Sequence, residues 1–175
     1  MEVIEVIDSA VKIGLGALIS GFATYFVAKI NHSAAISKEV IAKKMTMLND
    51  AAELAEVFFY YNTRRLNVVG GHARHVTVED QPMSQRQQQD VKKTDENIVE
   101  ILATRNKALA KLQLLQLAEA EEALRAYSLV STELRELITH KKIMPTTAQL
   151  EGFGERLVEQ KNRYYKALSV GLNSL

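Results

Sequence analysis

The chain has 175 residues, 47% of them hydrophobic and 25% charged, so it can build one buried core and is too apolar for wholesale disorder. It has no cysteine, which excludes a disulfide framework and a thiolate metal site, and its net charge of +1 gives no bulk attraction to nucleic acid. Only 8 Gly and 2 Pro punctuate it, which predicts long helices and few turns.

The N-terminal segment reads as a membrane span. Ile13–Ala28 is an unbroken run of 16 residues without a charge, closed by Lys12 and Lys29. At about 1.5 Å per residue the run covers about 24 Å, short of a bilayer core of about 30 Å. Val11, Ile30 and snorkelling of the two lysines make up the difference. A secretory signal wants a basic leader, whereas this one carries Glu2, Glu5 and Asp8. Residues 1–10 are thus expected to be a short acidic tail and residues 11–30 a transmembrane helix. Lys29, Lys38, Lys43 and Lys44 follow the span, and only Lys12 precedes it. The positive-inside rule then puts the N-terminus outside and residues 31–175 in the cytoplasm, at a bacterial inner membrane.

The span has two faces. Val11, Leu15, Leu18, Ile19, Phe22 and Phe26 gather on one side at about 100° per residue. Ala10, Gly14, Ala17, Gly21, Thr24, Ala28 and Asn31 form the other, in an unbroken heptad register, with Ser20 beside them. Small residues let membrane helices pack closely, so this stripe predicts a homo-oligomer.

After the span, a helix is expected to continue to about Val68, with a bend at Asn31-His32-Ser33. Its apolar face reads Ile41, Met45, Leu48, Ala52, Ala55, Phe59 and Leu66. Gly70-Gly71 and Pro82 bound an expected loop over 69–83. Residues 84–97 read as a loop or an exposed helix start, with Thr94 as an N-cap. A helix through Ile98, Val99, Leu102, Leu109, Leu112 and Leu115 follows. Whether residues 84–140 form one helix or two is left open by the pattern. Acidic Glu119, Glu121 and Glu122 favour a break near Leu117-Ala118 and a third helix over 119–140. Pro145 and Thr147 start the last, through Leu150, Leu157, Tyr164 and Leu168 to Gly171. The expected class is all-α: one transmembrane helix followed by a cytoplasmic bundle of about four helices.

No P-loop, dinucleotide fingerprint or nucleophile elbow is present, so no enzyme and no cofactor are expected. His72, His75, Glu79 and Asp80 have metal-binding chemistry, but without cysteine or a helical scaffold a solvated loop is the better reading. More informative is the acid-free stretch from Val57 to Val78, rich in aromatics and arginine. Arg64, Arg65, Arg105, Lys107, Arg125, Tyr127, Arg163 and Tyr164 are the candidate ligand residues, because arginine with aromatics suits phosphates and bases. The competing reading makes the tyrosines core and the arginines solvated surface.

The layout resembles small single-span bacterial inner-membrane effectors of anti-phage defence. The resemblance lies in organisation and in no motif, so it carries no residue roles over. It implies an ion channel or effector gated by its helical domain, with a nucleotide, oligonucleotide or other anionic ligand. The alternative is a membrane-anchored adaptor that recruits a protein partner and has no channel activity.

Overall fold

The helices follow from the sequence's lack of breakers, and their ends follow from particular caps. In the computed structural model, the backbone is described for residues 2–76, 78–96 and 98–173, and the side chains for these except 2–23, 26, 30, 32–34, 98, 99 and 173. The elements are α1 (Glu2–Ala73), β1 (Gln81–Pro82), α2 (Gln85–Asp95), α3 (Ile98–Leu114), α4 (Ala118–Arg135), a π-helical turn (Glu136–His140), β2 (Ile143–Met144) and α5 (Thr147–Asn173). The chain divides into two units, Met1–Lys43 and Lys44–Leu175.

The first unit is helical over its described residues, and helical structure runs through Asn31-His32-Ser33, where the sequence predicted a bend. Tyr25, Val27, Ile36, Val40 and Ile41 are exposed apolar side chains there. Among the described residues no helix is long and apolar enough to cross a membrane. The expected span over 11–30 falls largely outside the described side chains, as do Ala10, Gly14, Ala17, Ser20 and Gly21 of its stripe; Thr24, Ala28 and Asn31 are exposed.

The second unit is a four-helix bundle made by the C-terminal part of α1 with α3, α4 and α5. Leu48, Ala51, Ala55, Phe58 and Phe59 of α1 meet Ile101, Leu109 and Leu112 of α3. Leu124, Tyr127 and Val130 of α4 and Leu157, Tyr164 and Leu168 of α5 close the same core. Its centre is aromatic: Phe59 lies 4.5 Å from Tyr127 and 5.5 Å from Tyr164, ring centre to ring centre. A second cluster, with Val69, Met83, Val91, Leu134, Ile138, Met144 and Leu150, seals one end.

Local chemistry sets the boundaries. Gly70 and Gly71 do not open a loop; α1 continues to Ala73. A Cβ at Gly70 would stand 3.3 Å from Leu150 Cδ2, so the missing side chain lets α5 approach. Thr94 is not an N-cap. It lies in the last turn of α2, where its hydroxyl donates to the Val91 carbonyl, and Ser84 caps α2 instead. Ser84 and Gln87 form a reciprocal capping box: the Ser84 amide donates to Gln87 Oε1 (2.8 Å), and the Gln87 amide to Ser84 Oγ (3.4 Å).

The break between α3 and α4 falls where the acidic run placed it, through a Schellman closure. Gln116 takes φ 59°, its amide donates to the Gln113 carbonyl, and the Leu117 amide reaches back to Leu112. Thr146 and Gln149 cap α5 in the same reciprocal way as Ser84 and Gln87. The two short strands are antiparallel, Gln81 opposite Met144 and Pro82 opposite Ile143, and they tie the start of α2 to the end of α4.

Candidate functional site

Around the bundle, the inward stripe of α1 runs Leu48, Ala51, Ala55, Phe58, Asn62, Arg65, Val69. Two of these core positions are polar. Arg65 is 3% exposed and Asn62 is 4% exposed. Burying a guanidinium is costly unless it is paired. Its partner is Asp95 at the end of α2, with Nη2 to Oδ1 at 2.6 Å. Asp95 also receives the Thr139 hydroxyl (2.9 Å) and Arg135 Nε (3.4 Å) on its other oxygen. Burial pulls Arg65 below its ordinary value, and Asp95 opposes that pull. An arginine begins so far above neutrality that it stays charged.

A polar layer surrounds this pair. Asn62 donates to the Phe58 carbonyl (2.8 Å), and its oxygen accepts from the Ser131 hydroxyl. Arg105, from α3, donates to Ser128 of α4 and to its neighbour Asn106. Burial also lowers Arg105, with Arg125 adding repulsion. Among the described residues, Arg105 has no carboxylate partner.

These groups line a cleft of about 270 Å³ between α1, α3 and α4. Arg65, Arg105 and Arg135 face it with Asn62, Ser128, Ser131 and Thr132, while Phe58, Tyr61, Ile101 and Leu102 supply its apolar wall. Arg65 and Arg135 share the carboxylate of Asp95 and Arg105 has none, so the three guanidiniums leave an uncompensated charge of about +2. A larger cleft of about 650 Å³ lies beside α2, is lined by Asp95, and shares Arg135 with the smaller one. Its remaining polar lining is Gln85, Gln88, Gln89, Lys92, Thr139 and Lys142, mostly solvated side chains. The smaller cleft is the stronger candidate, because charge buried in low dielectric binds an anion more tightly than exposed lysine does.

The structure brings together only part of the set expected from the sequence. Arg65 and Arg105 meet in the cleft. Tyr127 and Tyr164 are core residues at 2% and 0% exposure, and Tyr164 donates its hydroxyl to the Ala51 carbonyl at 3.0 Å. Burial pushes both phenols up. With their rings packed on Phe59, neither offers a face to a ligand. Arg64 and Lys107 are exposed. Arg125 pairs with Glu121 (2.7 Å), and Arg163 donates to Gln160 (3.0 Å) and faces Glu122 (3.6 Å), all outside the cleft. His72 Nε2 lies 3.2 Å from Asp90 Oδ2, an attachment between α1 and α2.

Asn62, Ser128, Ser131 and Arg135 are cleft residues that the sequence reading passed over. The signal was a polar residue at a core position. Ser128 and Ser131 sit among Leu124, Tyr127, Val130 and Leu134 on the inward side of α4, and Asn62 interrupts the stripe of α1. Comparison with known proteins finds no family model, curated protein or solved structure that matches the chain.

Proposed function

We propose that the chain is a homo-oligomeric membrane effector or channel, in which the bundle senses an anionic ligand and gates spans formed by residues 11–30. The observation that carries the sensing half is that three arginines line the cleft while one carboxylate, Asp95, pairs with two of them. Arg65 is buried and paired with Asp95, but the half-buried Arg105 and Arg135 bring more positive charge to the cleft than that carboxylate balances, and a ligand explains this excess better than folding does.

The membrane half is supported by the sequence: the uncharged run Ile13–Ala28, the lysines that follow it, and the heptad of small residues from Ala10 to Asn31. On this reading the bundle is cytoplasmic at a bacterial inner membrane, as in the anti-phage effectors whose layout the chain resembles. The element α1 carries both the uncharged run and the cleft residues Asn62 and Arg65. A change at the cleft therefore acts on the same helix that enters the bilayer.

Reconstitution of the full chain in liposomes tests this. Ion flux is expected, and Gly21→Leu should abolish it by wedging the packed seam, while Phe22→Leu on the opposite face should not. Single cysteines at Ala17, Gly21 and Thr24 should cross-link between copies, and those at Leu15, Leu18 and Phe22 should not. Absence of flux from a chain that stays membrane-bound overturns the channel and leaves the adaptor.

A further inference from the structure

We infer that the cleft between α1, α3 and α4 is a receptor for a phosphate monoester dianion, gripped by Arg105 and Arg135 above the buried Arg65. The inference rests on the sensing role proposed above and names the ligand's chemistry.

Charge and size select the ligand together. The uncompensated charge of about +2 matches a phosphate monoester, which carries about −1.5 to −2 at neutral pH. A phosphodiester carries only one negative charge, as does a carboxylate. At about 270 Å³ the cleft falls just below the range of about 300–1,000 Å³ usual for drug-sized ligands. It holds a phosphoryl group and a small organic remainder, and has no room for a strand of linked nucleotides.

The donors suit three terminal oxygens. Guanidinium forks bind phosphate through paired N–H groups, and the Arg105 fork is held only by neutral oxygens, those of Asn106 and Ser128, which a dianion outcompetes. Arg65 has a buried Nε that lacks a hydrogen-bond partner, an unusual cost for a protein interior. A dianion in the cleft offsets that cost through its field. The Ser128 hydroxyl adds a neutral donor, and Tyr61 and Leu102 offer apolar surface to the organic part.

The test is titration of the full chain in detergent with phenyl phosphate, dimethyl phosphate and benzoate, read by calorimetry. Phenyl phosphate should bind at one saturable site per chain, and the other two at least about 10-fold more weakly. Arg105→Gln should weaken phenyl phosphate by about 10-fold or more, and Arg105→Lys by less, since it keeps the charge and loses the fork. Arg64→Gln and Arg163→Gln, outside the cleft, should leave affinity unchanged. Affinity should also fall as pH drops through the ligand's second pKa of about 6. Should Arg105→Gln fail to fold, as its melting curve will show, Arg135→Gln gives the same reading.

No saturable binding, equal binding of dimethyl phosphate, or equal loss in Arg64→Gln overturns the assignment. Flux in liposomes without phosphate binding overturns this ligand and leaves the effector reading. Phosphate binding without flux does the reverse.

Discussion

Replacing Asp95 with alanine should be the most damaging single change in the bundle's polar layer. Asp95 is 9% exposed and Arg65 is 3% exposed, so neither side chain has water to fall back on. The 2.6 Å contact is an ion pair, and Thr139 and Arg135 add further contacts to the same carboxylate. Removing one partner of such a pair costs about 3–5 kcal/mol, because the other is left buried and charged. Whole domains are stable by only about 5–15 kcal/mol, so about a fifth or more of the total is at stake.

At about 2–4 °C per kcal/mol for a chain of this size, the melting point should fall by about 6–20 °C. Urea denaturation followed by circular dichroism measures the loss directly, through a lower midpoint at constant slope. The double variant Arg65→Met/Asp95→Leu should recover most of it, since no buried charge then remains. A loss under about 1 kcal/mol in Asp95→Ala would mean that Arg65 reaches solvent after all, and the cleft's charge argument would fall with it.

Tyr164→Phe removes the hydroxyl from the Ala51 carbonyl, which lies within helix α1; the cost should be a net hydrogen bond, about 0.5–1.5 kcal/mol by urea denaturation. Gly71→Ala and Gly154→Ala should each stabilise the fold by about 0.4–1 kcal/mol, because both glycines are helical and an added Cβ meets nothing within 4 Å. Gly171→Ala should not stabilise, since its Cβ would lie 2.5 Å from Leu117 Cδ2. Burial raises Glu56, but the Tyr165 hydroxyl and the Lys161 ammonium outweigh it and leave the carboxyl below its ordinary value. That contribution is fully present above the ordinary value of 4.5 and is lost as pH falls through the lowered one. Glu56→Gln should therefore narrow the gap between melting points above and below that window, and an unchanged acid slope would refute the assignment.

The bundle was legible because its helices α4 and α5 keep a strict apolar period. Leu124, Tyr127, Val130 and Leu134, and Leu150, Leu157, Tyr164 and Leu168, are buried as their spacing requires. On α1 the period was followed through apolar residues, which selected Leu66 and passed by Asn62 and Arg65. The true stripe runs one step aside, through two polar residues that the fold buries and pairs with groups far along the chain. Asp95 and Ser131 lie 30 and 69 residues away from Arg65 and Asn62, respectively, and no local pattern joins them. Capping failed in a similar way: Thr94 and Ser84 are both acceptable N-cap residues, and only Gln87 three positions on distinguishes Ser84. The strands were invisible because each has two residues, and their partners lie 61 and 63 positions away.

The attachment of α2 has a consequence for how the domain breathes. Val91 is its buried residue, and otherwise it is held by polar contacts: the ion pairs of Asp95 with Arg65 and Arg135, and the contact of Asp90 with His72. Helices anchored by aromatic and leucine packing open only with the whole domain, whereas one anchored mainly by ions can detach alone. Its amides should therefore trade hydrogen for deuterium earlier than those of α3, α4 and α5. The partly exposed Arg135 leaves its tie to Asp95 open to screening, so added salt should speed exchange in α2 while leaving the aromatic centre of the bundle unaffected.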